Sequence, residues 1–242
     1  DAHLSGLGNT IWDGRQMVVS EDGNTLYVTG NDGIGRISMN YSLDGSPILN
    51  SDATTHRKWI SKKTFGSTTN YGGTISTDLL YVGEGDDHTE YIIALAQNKD
   101  DKQARVYVTT RKDIYDQNVP FTQLNLVDEQ GAAVALLDSH SIAVDRVNHK
   151  AYIAYSTQVA ELELANLPSL IEATPLGGLA SGNTVVMQKP LLSAENTVGE
   201  LSAIVSEGGL PYLVATDRTE SALYAIDQIT GEVVYLVQGD NQ

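Results

Sequence analysis

Cysteine is absent from the 242 residues. That excludes a disulfide framework, a thiolate metal site and a cysteine nucleophile. Basic residues are scarce: 15 Lys and Arg stand against 31 Asp and Glu, a formal net charge of −16. A surface so acidic repels a phosphate backbone, which excludes nucleic acid as a partner of the bulk surface. No apolar run approaches the ~20 residues of a membrane-spanning helix, so membrane insertion is not expected. The opening DAHLSGLG has no charged-then-apolar leader pattern. Several sequence signatures are also missing, namely the P-loop, HExxH, the EF-hand loop and the GxSxG elbow.

What is present describes a folding chain. Hydrophobic residues make up 41% and charged residues 19%, without low-complexity stretches. A chain of this length buries a full core as one domain, expected over 1–242. A first residue of Asp, with an acidic, Tyr-rich and Cys-free composition, points to a processed chain in a secreted, periplasmic or cell-surface location. Helical spacing of apolar residues is nearly absent. Short runs such as QMVVS, TLYVTG, GTIS, LLYVG, YIIALAQ, RVYVTT, SIAVD, KAYIAYS, PYLVA and ALYAID, bounded by Gly, Asn, Asp and Ser, predict an all-β fold. Helix is expected only at LPSLIEA from Leu167 and over 193–199.

The strands repeat as a unit. MVVSEDGNTLYVTG from Met17, IAVDRVNHKAYIAYS from Ile142 and SAIVSEGGLPYLVAT from Ser202 align without gaps. They reach Tyr27, Tyr152 and Tyr212 at the same offset. A copy with a longer turn, starting at YIIALAQ, reaches Tyr107. Further strands follow each tyrosine strand, which predicts four-stranded antiparallel meanders, the blades of a β-propeller. The tyrosine spacing admits four or five blades, or part of a larger propeller. In the four-blade count LLYVGEG at Tyr81 belongs to an inserted hairpin. The first strand of each blade is expected to line the axis and to bury Val18, Val19, Ala143, Val144, Ala203 and Ile204.

VSEDGNTLYVTG resembles the YVTN repeat. SHSIAVDRVNHKAYIAY is similar to YVTN and NHL-type blades, and ALYAIDQITGEVVYL resembles the last strands of a quinoprotein-type repeat. The resemblance implies the propeller scaffold and is silent on activity, because such blades serve enzymes, scaffolds and lectin-like modules. Too few blades and no cofactor residues are present for a quinoprotein, so no organic cofactor is expected.

In a propeller, the loops leading into the first strands gather at the channel mouth. Taking YIIAL, SIAVD and LSAIV as first strands places His88, Glu90, Asp138, His140 and Glu200 there. Carboxylate oxygen with imidazole nitrogen suits a divalent cation, calcium first where oxygen dominates. The alternative is that these are solvated carboxylates of an acidic surface. Trp59, Tyr71 and Tyr115 are candidate stacking platforms for a carbohydrate, with packing between blades as the competing role. Asp138-Ser139-His140 is an accidental adjacency without a nucleophile elbow. Two functions follow. One is an exported non-catalytic module that recognises a carbohydrate, peptide or partner domain through its loops. The other is a metal-dependent hydrolase of the lactonase type, with water activated on a cation at the mouth; the asparagine ligands of gluconolactonase-type propellers have no match in these loops.

Overall fold

Val, Ile, Tyr and Thr dominate the apolar runs, and side chains of this shape fit a pleated surface better than a helix. Eighteen strands and one short helix form accordingly in the computed structural model, among its described residues. Those residues are 16–30, 33–41, 47–49, 57–61, 71–83, 88–98, 100–110, 121–174, 178–189, 198–205, 211–217 and 221–238. The fold is an all-β propeller with four blades among the described residues.

Blade I contains β1 (Met17–Val19), β2 (Thr25–Gly30) and β3 (Gly33–Tyr41), with β4 (Pro47–Leu49) and β5 (Arg57–Ser61) both pairing with β3. Blade II runs through β6 (Tyr71–Val82), β7 (Thr89–Asn98), β8 (Gln103–Thr110) and β9 (Thr122–Val127), and the short β10 (Leu136–Leu137) pairs with β8. Blade III is β11 (Ser139–Asp145), β12 (Lys150–Tyr155), β13 (Gln158–Glu163) and β14 (Leu179–Lys189). Helix α1 (Leu167–Glu172), with Pro168 in its first turn, lies between β13 and β14 and packs on β14. Blade IV is β15 (Val198–Val205), β16 (Pro211–Asp217), β17 (Ala222–Asp227) and β18 (Val233–Gln238). Neighbouring strands within each blade are antiparallel. The exception joins two blades: β14 pairs parallel with β9, which fuses the outer edges of blades II and III.

Two expectations are corrected here. GTIS and LLYVG are one strand, β6, and it is the inner strand of blade II; the hairpin thought to be inserted does not exist. YIIALAQ is therefore a second strand, and Tyr107 sits on the third. The polar triplet Ser76-Thr77-Asp78 interrupts the apolar run, and that is why the sequence reads there as a turn. Tyr27 and Tyr152 do occupy matching places on second strands, opposite Val18 and Ala143. In blade IV the equivalent place, opposite Ser202, belongs to Val214, so Tyr212 lies two residues away on the same face. Of the second helix expected over 193–199, Val198 and Gly199 belong to β15, and the rest lies outside the described residues.

Each pair of consecutive blades encloses its own apolar core. Tyr27 and Ile34 of blade I meet Leu79, Ile92 and Ala94 of blade II. Leu80, Ile93 and Leu95 of blade II meet Ile142, Val144 and Ile153 of blade III. Ala143, Tyr152 and Ala154 of blade III meet Leu201, Leu213 and Ala215 of blade IV.

The inner strands need a second device. An inner strand has a partner on one edge only, so alternate N–H groups point out of its blade and must be satisfied elsewhere. Three successive blades solve this in one way. The Thr77 N–H donates to Gln16 Oε1 at 3.1 Å, the Ile142 N–H to Ser76 Oγ at 2.9 Å, and the Leu201 N–H to Ser141 Oγ at 2.9 Å. In every case the acceptor is the residue just before the corresponding position of the preceding blade. Ser76 Oγ also donates to Gln16 Oε1, and Ser141 Oγ to the Gly199 carbonyl at 3.1 Å. Asp78 Oδ2 adds a second rung, accepting from the Val144 N–H at 2.8 Å.

Ser141 is fully buried. Ser141→Ala leaves the Leu201 N–H and Gly199 carbonyl without a partner, a loss of about 1–3 kcal/mol, and the melting midpoint should fall by roughly 2–4 °C per kcal/mol. Ser169→Ala on exposed α1 should leave the midpoint unchanged. Val144, buried between blades II and III, should tolerate Asp far worse than either, because an unpaired buried charge costs several kcal/mol; thermal denaturation of the three variants reads all of this.

Candidate functional site

The inner strands β1, β6, β11 and β15 surround a cavity of about 480 Å³. β6 and β11 run the same way, since Ser76 and Asp78 engage Ile142 and Val144 in the same order. The cavity therefore has an entry rim, where the inner strands begin, and an exit rim, where they end. Its walls mix apolar side chains, among them Met17, Val144 and Leu201, with polar ones, among them Gln16, Asp78 and Ser202. The expected burial of first-strand residues holds for Ala143 and Val144. Val18 and Ala203 are half-buried, whereas Val19 and Ile204 are exposed at 43% and 46%. Val19 pairs with Leu26 on the side of blade I away from blade II, and Ile204 with Tyr212 on the side of blade IV away from blade III.

Three charged groups stand at the exit side: Asp78, Asp145 and Arg146. Asp78 accepts from the N–H groups of Val144 and Leu79, both at 2.8 Å. Arg146 Nε donates to the Leu79 carbonyl at 3.2 Å, and its Nη2 lies 3.5 Å from Asp78 Oδ1. The guanidinium is 5.1 Å from the centre of the Tyr81 ring, in cation–π range. Asp145 is buried and organises the β11–β12 turn: its Oδ1 accepts from the N–H groups of Val147 and Asn148, and its Oδ2 from Asn148 Nδ2. Both carboxylates are thus committed to backbone and turn, and neither is placed as a general base.

Burial pushes the Asp78 carboxyl above the ordinary carboxylate range, although the N–H groups of Val144 and Leu79 and the Arg146 charge pull the other way. Burial, with help from nearby Glu90, likewise raises the Tyr81 hydroxyl well above the ordinary phenol value, against the downward pull of Arg146.

The five residues expected to share a cation divide between the two rims. His88 and Glu90 lie beyond and at the start of β7, hence at the exit rim where β6 turns back. Asp138, His140 and Glu200 lie at the starts of β11 and β15, at the entry rim. The separation follows from the blade shift: a loop leading into a second strand sits opposite the loops leading into first strands. At the exit rim, Glu90 is buried and accepts from the Tyr27 hydroxyl at 3.0 Å. His88 Nε2 lies 3.6 Å from Glu21 Oε2, with its ring edge-on to Tyr81. The Glu21 N–H donates to the Tyr81 hydroxyl at 2.6 Å. Among the described residues, no group of three or more His, Asp and Glu gathers closely enough to hold a metal ion. Trp59 stands opposite Gly35 in β5 and Tyr71 opposite Asn98 in β6. Their side chains, and Tyr115 altogether, lie outside the described residues.

Asp78 and Arg146 escape sequence reasoning because they lie in and just after strands, away from the mouth loops. Their available signal is the polar interruption at 76–78.

No family model matches the chain, and no curated protein matches its sequence. Several solved structures are similar at low identity. The Swd1 β-propeller domain of Myceliophteria thermophila matches at 14% identity over 96% of this chain and 58% of its own, with a TM-score of 0.44. The periplasmic gluconolactonase of Pseudomonas aeruginosa matches at 16% over 92% and 56%, with a TM-score of 0.42. A chain of the yeast heterotrimeric nucleoporin complex matches at 10% over 94% and 61%, with a TM-score of 0.47. The chain thus spans less than two thirds of the length of these structures. Among the described residues, no helix is long and apolar enough to cross a membrane.

Asp78 gives the site a pH signature. A carboxyl whose folded pKa is raised binds its proton more tightly in the native state. Its stabilising contribution is full below the unfolded value of 3.8 and is lost as pH rises through the raised folded pKa. Denaturant titrations from pH 3 to pH 8 should therefore show the wild type losing ground to Asp78→Asn as pH rises, and a difference constant with pH would contradict the assignment.

Proposed function

We propose that the chain is a non-catalytic binding or structural module that works through protein contacts on its blade faces and exit rim. The observation that carries this reading is the commitment of the cavity carboxylates, Asp78 and Asp145, to backbone N–H groups. What remains at the rim is a fixed guanidinium, Arg146, beside the exposed Val147. That combination suits a peptide or partner domain with an apolar side chain next to a carbonyl or carboxylate. A carbohydrate stacked on Trp59, Tyr71 or Tyr115 is a further candidate ligand. An exported location belongs to the same proposal, supported by the Cys-free, acidic composition. Calcium or another divalent cation belongs to the hydrolase alternative, which needs Glu90 and Asp138 to act on one ion from opposite rims.

Two measurements test the reading. Lactone and ester hydrolysis in calcium, manganese or zinc should not exceed the uncatalysed rate, and turnover that disappears in the Glu90→Ala, Asp138→Ala double variant would overturn the proposal in favour of the hydrolase. Peptides selected from a random display library on the immobilised chain should lose at least about tenfold in affinity for the Arg146→Ala, Val147→Asp variant, equivalent to ~1.4 kcal/mol.

A further inference from the structure

Two cavities meet at one residue. The axial cavity of about 480 Å³ and a second of about 510 Å³ both have Val147 in their walls. The second lies between blades III and IV, bounded by the β11–β12 turn, by Pro211 at the start of β16, and by Gln228 and Ile229 after β17. Both volumes fall within the roughly 300–1,000 Å³ that ligand sites occupy. Val147 is 70% exposed and stands as an apolar ridge between them.

The ridge is flanked in the chain by one available donor and one available acceptor. Arg146 commits Nε to the Leu79 carbonyl and Nη2 to Asp78, and among the described residues its Nη1 has no hydrogen-bond partner. Asn148 Nδ2 donates to Asp145 Oδ2, and among the described residues nothing donates to its Oδ1. A peptide group carries the complement of that pair, a carbonyl acceptor and an N–H donor. Neither cavity holds an unbalanced cation. Arg146 shares the axial cavity with two carboxylates, Asp78 and Asp145, and Lys150 in the second is held at 2.7 Å by Glu161, whose side chain is 1% exposed. An anion therefore gains little at either place, and a cation meets Arg146 or Lys150.

We propose that the Arg146-Val147-Asn148 turn binds an extended, uncharged segment of a partner protein. A backbone carbonyl of the segment accepts from Arg146, an apolar side chain enters the axial cavity, and a neutral amide side chain two residues away enters the second. Side chains at that interval lie on one face of an extended chain, roughly 6.5–7 Å apart, which spans a single valine. This inference rests on the reading that the exit rim serves protein contacts, and it names the chemistry of the partner.

The probe is the capped peptide acetyl-Gly-Gln-Ser-Leu-Ser-Gln-Gly-amide, which presents Gln two residues from Leu in either chain direction. Titrated into the 15N-labelled chain, it should give saturable shifts at Arg146 Nε–H and at the Val147 and Asn148 amides. Its affinity should not change between about 0.05 and 0.5 M salt, since no charge is paired on binding. Replacing both Gln by Glu, or Leu by Asp, should weaken it. Ile204→Asp alters the axial cavity alone and Ile229→Asp the second alone; both positions are exposed, so each variant should keep the wild-type melting midpoint and lose about tenfold or more in affinity. Arg146→Lys, which keeps the charge but not the planar fork, should lose affinity as well. Absence of saturable shifts at the turn overturns the proposal, as do tighter binding of the Glu peptide and an affinity indifferent to either Asp variant. The last result would leave the protein-contact reading standing, whereas metal-dependent turnover of a lactone or ester would overturn that reading and not this one.

Discussion

Inner strands of a propeller have one edge that no strand covers, and their outward N–H groups must still find acceptors. In this chain a single residue of the preceding blade supplies each acceptor: Gln16, Ser76 and Ser141 in turn. The positions of these acceptors set the register of one blade against the next. That register aligns the three apolar cores, so that Tyr27 meets Leu79 and Tyr152 meets Leu213. A blade shifted by one residue would turn its apolar face outward and lose both the core and the hydrogen bond.

The same economy governs the acidic residues. Asp22, Asp101, Asp128, Asp145 and Asp227 each accept backbone N–H groups in a turn two or more residues on. For Asp227 the N–H groups of Thr230 and Ile229 hold the carboxyl below the ordinary range. Carboxylates of this kind are structural, and none of the five belongs to the set expected at the channel mouth. Asp78 differs: it lies within a strand, links two blades and borders the cavity.

The blade pattern was legible because β-branched and tyrosine-rich runs of strand length alternate with Asp- and Gly-containing turns. The match of Tyr27 with Tyr152 was legible for the same reason. Blade II was misread at one place only. Ser76 and Asp78 serve the neighbouring blade, and a strand whose polar residues answer to a long-range partner shows no local periodicity to reveal it. From that one shift followed the misplacement of His88 and Glu90 on the rim opposite Asp138, His140 and Glu200. The Asp78–Arg146 pair was invisible for a related reason, since 68 residues separate its members and the sequence does not state which blades adjoin.

The ladder is most directly tested by amide hydrogen exchange at Thr77, Ile142 and Leu201. These N–H groups face away from their own hairpins, and the account predicts that they are protected as strongly as paired strand amides. Ser141→Ala should speed exchange at Leu201 while leaving Thr77 and Ile142 protected. Rapid exchange at all three positions in the wild type, or a Leu201 rate indifferent to the loss of Ser141, would contradict it.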